Sequence, residues 1–526
     1  MISSKDKDQE DEVFDLDGRL SSVSPAAAGT QTGGKPLRIL MATEYLPPFV
    51  SGIANRCKNL VKGYREHGHH VTVYGPPGSD CDIQVVSIVN PFYDQQRLFF
   101  LPPFLLILQL LNPFQEVQYD IAHIVAPMAA PFLFVLPLLR LRGVKIYVSY
   151  HVLLEFYKQK YFNELLGMFL EGLFIVLYFI PLVYFADVVG IPSKTADSCV
   201  YKYSKRIHYM RSGLDTTVFK PVPEHHFPAE DDYLHPTAPP APLPIPSSLK
   251  PFESDPHPST PMTRRQTSLV HKLHTQTSTK TVAPVLVYVG RLAVEKNVEF
   301  LIRALDHPCL ATAKLVIVGD GPARPSLEAA ARETVGPSKV YSAPLDSSHI
   351  DVSKGSVAAH PAARVLFAGM VHNEQLISTY YANADVFVSA SASETFGFTV
   401  AEAMACGTPS VMVRSGAFRS VYRMIDGWMF EDMDTEDYAG RVGRVVADGI
   451  LARRVARRVA VRQFGVMGAV KDLLKTYEMC VQGVFWEEEG LKKGGADTAL
   501  AAAALATAGA KPNVSPSHAA VDKKTN

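Results

Sequence analysis

Short apolar runs alternate along most of this chain with stretches whose apolar residues recur at helical spacing, a pattern that predicts parallel sheets covered by helices. Residues 37–42 form the first run and predict a buried strand. A loop through Pro47, Pro48 and Gly52 follows, then a helix from about Ala54 to Gly68 and a strand at 71–74. Further strands are expected at 121–125, 144–150 and 188–191. A second alternating set begins at 285–289 and continues at 315–318, 365–368, 386–389 and 410–412, before helices that run to about Glu489. The expected architecture is α/β, with two Rossmann-like domains, 37–220 and 283–490, facing a central cleft onto which the strand C-termini open.

The polar stretches predict what lies outside the domains. Residues 1–36 read as a disordered leader, 221–282 as a Pro/Ser/Thr-rich disordered insertion, 335–363 as a shorter insertion and 491–526 as a disordered tail. The acidic start, with neither a basic segment nor an apolar one, argues against a secretory signal and against a transit peptide. Within the long insertion, Arg264-Arg265-Gln266-Thr267-Ser268 matches a basophilic kinase site, a pattern that arises often by chance.

Residues 166–185 are almost wholly apolar and long enough to span a bilayer, but Glu171 and Pro181 interrupt them and the flanking strands should share one sheet. A helix packed on the sheet, or lying in a membrane surface, is the expectation. The apolar runs 98–111 and 127–139 belong to the same half, which suits either a lipid-handling domain or a large core. Arg453, Arg454, Arg457, Arg458 and Arg462 recur at helical spacing and predict a basic face, solvated or set against anionic lipid.

Composition narrows the function. The 526 residues, 47% of them hydrophobic, exceed what one core holds, and 52 basic against 52 acidic residues leave no net charge to attract nucleic acid. The six cysteines show no metal-ligand spacing, which fits a reduced compartment. Asp432-Met433-Asp434 resembles a metal-binding pair but sits in an acid-rich loop, so no metal and no cofactor are expected.

Two carboxylates, Glu394 and Glu402, flank a turn at Gly397 where a helix begins. Such an arrangement can meet the hydroxyls of a polyol held at the helix N-terminus. Arg291 and Lys296 follow the strand at 285–289, where two fixed cations could stabilise the charge of a departing diphosphate. The small-residue turn at Gly52 opens the first domain's helix in a way that also suits a diphosphate. Val318-Gly319-Asp320-Gly321-Pro322 reads as a structural turn, Val371 follows a strand end, and His151 closes a strand facing the cleft.

Glu394 and Glu402 with Phe396-Gly397-Phe398-Thr399 between them, and Gly290-Arg291-Leu292 with Lys296, resemble the donor site of family-4 retaining glycosyltransferases of the GT-B fold. That resemblance implies that Glu394 and His151 meet the transferred sugar, Glu402 the ribose, Arg291 and Lys296 the diphosphate, and the backbone at Val371 the base. Gly397, Phe398 and Thr399 would complete the donor loop. Val50-Ser51-Gly52, Asn55-Arg56, Ser149-Tyr150-His151, Gly213-Leu214-Asp215 and Val294-Glu295-Lys296 resemble the sulfoquinovosyldiacylglycerol synthases. Two stretches depart from them: Val152-Leu153-Leu154 follows His151, and Ser415-Gly416-Ala417-Phe418-Arg419 looks more like phosphatidylinositol mannosyltransferases. The implied activity is transfer of a sugar, sulfoquinovose on this resemblance, from a UDP-sugar to a membrane lipid such as diacylglycerol. A peripheral position on a membrane, facing cytoplasm or stroma, goes with it. GDP-mannose-dependent transfer to phosphatidylinositol, a UDP-sugar epimerase and a catalytically silent membrane-docking scaffold are the alternatives.

Overall fold

The computed structural model describes residues 35–48, 52–90, 93–116, 118–126, 130–151, 164–194, 198–222, 246–249, 283–343 and 360–484. The first sheet is built from β1 (Arg38–Ala42), β2 (His70–Gly75), β3 (Ile83–Gln84), β6 (Ile121–Ala126), β7 (Lys145–Tyr150), β8 (Val188–Ile191) and β9 (Ile207–Tyr209). The small antiparallel pair β4 (Ser87–Asn90) and β5 (Tyr93–Phe99) stands apart from it. The second sheet comprises β10 (Val285–Val289), β11 (Lys314–Val318), β12 (Val340–Ser342), β13 (Val365–Gly369), β14 (Val386–Ser389), β15 (Ser410–Val413) and β16 (Met429–Phe430). The orders β3-β2-β1-β6-β7-β8-β9 and β12-β13-β11-β10-β14-β15-β16 reverse direction at β1/β6 and β10/β14, and every pairing in the two sheets is parallel. Ligands of open α/β sheets bind at such reversals.

The central strands are buried from end to end, as their continuous apolar runs require when helices cover both faces of a sheet. Each fully buried Val, Leu or Ile there contributes about 1.5–3 kcal/mol. The expected strands therefore appear within a residue or two of their predicted positions.

Four expectations change. The reading of 335–363 as an insertion fails at its start: the helix Arg324–Val335 is followed by a turn at Pro337–Lys339 and by β12, which pairs with β13 at the sheet edge, while 344–359 lie outside the described residues. Within the predicted disordered insertion 221–282, residues 246–249 are anchored. Ser248 accepts a 2.8 Å hydrogen bond from Trp428 Nε1, and its backbone N–H donates to the Asp448 carboxylate at 2.7 Å. The Arg264–Ser268 motif, the leader through Gly34 and the predicted tail 491–526 lie outside the described residues.

The third change is partial: the apolar stretch 166–185 packs on the first sheet as expected, but not as one helix. It is broken into a helix Glu164–Phe174, a wide turn Ile175–Phe179 and a second helix Ile180–Phe185, and no helix among the described residues is long and apolar enough to cross a membrane. Phe179, Leu182 and Val183 pack beneath Tyr150 on the first sheet, whereas Phe169, Leu173, Val176 and Leu177 are exposed. The fourth change concerns the arginines of the Ile450–Val459 helix, which form no solvated or lipid-facing surface. Arg453, Arg457 and Arg458 are buried; Arg453 donates to the Ala384 carbonyl at 2.5 Å and Arg457 to those of Phe219 and Ala405 at 3.0 and 2.8 Å. Carbonyls left over at segment ends take up the guanidinium donors, and Arg457 thereby ties the segment through Phe219 to the helix ending at Ala405.

Candidate active site

At the end of β14 the chain turns through Glu394 and Gly397 into the helix Phe398–Ala405. Gly397 adopts φ 86°, in the left-handed region, and a Cβ there would lie 2.4 Å from the Phe418 ring. Its carbonyl accepts a 2.8 Å hydrogen bond from the buried Tyr422 hydroxyl, which fixes the turn. We expect Gly397→Ala to lower the melting temperature by several degrees, the left-handed conformation costing about 1–2 kcal/mol and the clash adding to it. The same change should abolish donor binding because the loop must move; wild-type melting would rule out the strain.

One turn into that helix, Glu402 is buried and accepts a 2.9 Å hydrogen bond from Tyr381. Burial pushes its carboxyl up to about 7; the Tyr381 bond opposes that shift and nearby Glu374 adds to it. Across the turn, Glu394 Oε1 pairs with Lys296 Nζ at 2.5 Å. Lys296 is aimed by Asn297, whose backbone is left-handed (φ 50°) and whose side chain donates to the Ala390 carbonyl at 3.1 Å. Arg291 pairs with Glu295, a carboxylate nearly closed to solvent. Buried Tyr288 donates to the Arg291 carbonyl at 3.1 Å, and burial with the charges of Glu394 and Glu295 raises its hydroxyl well above the ordinary range. The Gly319 turn packs so tightly on this segment that a Cβ there would lie 2.0 Å from the Gly290 carbonyl oxygen. Its part is structural: Leu292 N–H donates to the Asp320 carbonyl at 2.9 Å.

The first half closes the other side. A Cβ on Gly52 would come within 2.7 Å of the Phe398 ring, so the start of the Gly52–Glu66 helix touches the turn around Gly397 directly. Lys58 on that helix pairs with Glu374 at 3.4 Å, and Asn59 donates to the Gly213 carbonyl at 3.0 Å. The halves are joined where Leu214 bridges to Gly465. From there the helix Val466–Gln482 returns to the first half, and its Tyr477 hydroxyl lies 3.1 Å from that of Tyr64 and 2.7 Å from His123 Nδ1. His151, at the end of β7, is buried and held neutral, chiefly by burial and then by the charges of Arg56 and His123. It can therefore donate and accept hydrogen bonds at neutral pH without carrying charge.

A buried carboxylate at a helix start, a lysine and an arginine after β10, and the first half touching the same loop lie about the ends of the paired strands β10 and β14. The family model "Glycosyltransferase Family 4" matches residues 50–247 and "Glycosyl transferases group 1" matches 283–344 and 347–448. The chain belongs to the family-4 glycosyltransferases. It is similar to the sulfoquinovosyl transferase SQD2 of Arabidopsis thaliana, at 24% identity over 79% of this chain and 68% of that protein. It also resembles a GDP-mannose-dependent phosphatidylinositol dimannoside mannosyltransferase of Mycobacterium tuberculosis, at 31% identity over 36% of this chain and only 43% of that protein. Among solved structures, sucrose-phosphate synthase from Thermosynechococcus elongatus (TM-score 0.53, 17% identity, 85% of this chain and all of that one) shares the fold. So does the catalytic domain of starch synthase IV from Arabidopsis thaliana (0.51, 16%, with 85% and 100% covered). The glycosyltransferase thus has the expected GT-B architecture.

Its structure brings Lys296 to Glu394 and Gly52 to Phe398, pairs Arg291 with Glu295, and leaves Thr399 half-exposed at the helix start. Val371 follows β13 with its side chain in the second core, so only its backbone can meet a ligand. Asp434 is a helix cap, accepting from Asp437 N–H at 3.1 Å. Sequence reasoning did not assign roles to Tyr381, Tyr422 and Lys58; a tyrosine far along the chain carries no motif that would signal its partner.

Proposed function

We propose that this glycosyltransferase is a retaining enzyme that moves a sugar from a UDP-sugar, sulfoquinovose being the best candidate, to the hydroxyl of a membrane lipid such as diacylglycerol. The observation that carries the reading is the 2.5 Å pair of Lys296 and Glu394, from the ends of adjacent strands, with Arg291 five positions before Lys296 and buried Glu402 on the next helix turn. In the proposed complex Arg291 and Lys296 hold the diphosphate and Glu402 the ribose. Glu394 and neutral His151 orient the sugar so that leaving oxygen and acceptor hydroxyl share one face. The similarity to the Arabidopsis sulfoquinovosyl transferase supports the sugar and acceptor class.

A lipid acceptor is also supported by the surface of the first half. Leu105, Leu108 and Leu111 are exposed on the helix Phe104–Leu111, which lies beside Leu136–Leu141 and, next to that, Ile180–Phe185. Phe169, Leu173 and Leu177 of the same half are exposed as well, and apolar exposure of this kind suits a membrane surface.

Thermal shift with UDP, GDP and ADP tests the donor. A nucleotide at about a hundred times its dissociation constant adds about 2.7 kcal/mol to native stability. The expected result is a rise with UDP only, removed by Arg291→Ala, and transfer of label from UDP-sulfoquinovose to diacylglycerol in vesicles. A rise with GDP only would redirect the reading to mannosyl transfer, favoured by the mycobacterial similarity, and no rise with any nucleotide would leave a silent scaffold.

A further inference from the structure

Arg56 lies one helical turn after Gly52, on the same face of the Gly52–Glu66 helix that meets Phe398 of the donor loop. Only 2% of the residue is exposed, and its Nη2 has no hydrogen-bond partner. The groups that act on its charge are Tyr147, Tyr64, Tyr477 and Cys57, with no carboxylate among them. Its charge in turn reaches His151 and His123, so Arg56 sits beneath the strand end that faces the cleft. A guanidinium stays ionised inside a protein, and a buried cation without a counter-charge costs several kcal/mol. Such a group is retained where an anion arrives to pair with it. Among the described residues no acidic group takes that part: His123 donates or accepts toward Ser149 Oγ at 2.8 Å and Tyr477 at 2.7 Å, a closed network of neutral groups.

We propose that Arg56 is the receptor for a tetrahedral oxyanion, a sulfonate or a phosphate, carried by the transferring sugar. The inference rests on the functional reading above and names the feature of the sugar that the site selects. Arg291 and Lys296, on the second half, lie at the diphosphate end; Arg56, on the first half beside His151, lies at the sugar end. A planar guanidinium presents paired donors to two oxygens of such a group, and a sugar bearing a hydroxyl in its place would leave that cation unpaired. The site therefore rejects neutral hexoses as well as accepting charged ones.

The test is calorimetric binding of UDP, UDP-glucose and UDP-sulfoquinovose to the full chain and to Arg56→Gln. The wild-type protein should bind UDP-sulfoquinovose at least tenfold more tightly than UDP-glucose. Arg56→Gln should erase that ratio while its affinity for UDP stays within twofold. Arg56→Lys should keep part of the preference, and this variant carries the test if Arg56→Gln does not fold. Equal wild-type affinities for the two sugar nucleotides, or a preference that survives in Arg56→Gln, overturn the proposal. So does an equal loss for all three ligands, which would assign Arg56 to the diphosphate or to packing. Failure of all three ligands to bind the wild-type protein would overturn the functional reading itself.

Discussion

Lys296→Ala is expected to lower the rate of sugar transfer by about a hundred- to a thousandfold while the protein melts close to the wild-type temperature. In the proposed complex Lys296 carries the cation that meets the leaving diphosphate, and removing one preorganised group aimed at developing charge costs about 2.7–4 kcal/mol of transition-state stabilisation. The 2.5 Å contact with Glu394 makes the effect larger on turnover than on binding. Without the ammonium, the Glu394 carboxylate faces the diphosphate as a like charge, and the orientation of the sugar is lost with it. Single-turnover rates at saturating donor separate the two contributions. The double change Lys296→Ala with Glu394→Ala should cost less than the sum of the single changes, because one interaction is removed twice. Arg303→Ala, which removes an exposed cation paired to Glu299 and Glu333, serves as the control and should leave the rate unchanged. A Lys296→Ala enzyme within threefold of wild type would show that the diphosphate is held elsewhere.

How much of this was legible in the sequence depends on the range of the interaction. Strand runs such as 285–289 and 386–389 matched the observed strands because local burial dictates them, and Gly397 could be read as a turn because only its backbone conformation is at stake. Lys296 and Glu394 are 98 positions apart; the motifs placed each one, but their pairing depends on how β10 and β14 lie side by side. Tyr381, 21 positions before Glu402, carries no pattern that names its partner. The arginines of 450–459 misled for a related reason. Periodicity gives the face a residue occupies, and charge argues for solvent, but the carbonyls of Phe219 and Ala405 that accept from Arg457 come from distant segments. The same holds for Ser248, whose anchorage needs Trp428 and Asp448 to be in place.

Glu402→Gln is expected to make the protein more stable above neutral pH and a much poorer donor binder. The folded protein holds the Glu402 proton to about 7 because burial disfavours the charge, whereas the unfolded chain releases it near 4.5. The native state thus binds more protons across that window, so stability is fully present below about 4.5 and falls as pH rises toward 7. The loss is about 3 kcal/mol once the carboxylate is ionised. Glutamine has nearly the same shape and can still accept from Tyr381, but it has no charge to bury. Melting curves should therefore separate with pH, the variant several degrees above wild type at pH 8 and level with it at pH 4.5. Donor binding runs the other way. Two ribose hydroxyls are best met by a carboxylate, each hydrogen bond to a charged group being worth about 1.5–3 kcal/mol, so UDP affinity in the variant should fall at least tenfold. In the wild-type enzyme the affinity should rise as pH passes through 7 and then level, since the bound form requires the ionised group. Identical stability profiles for variant and wild type would mean that Glu402 is ionised in the free protein. An unchanged UDP affinity would remove it from the ribose site.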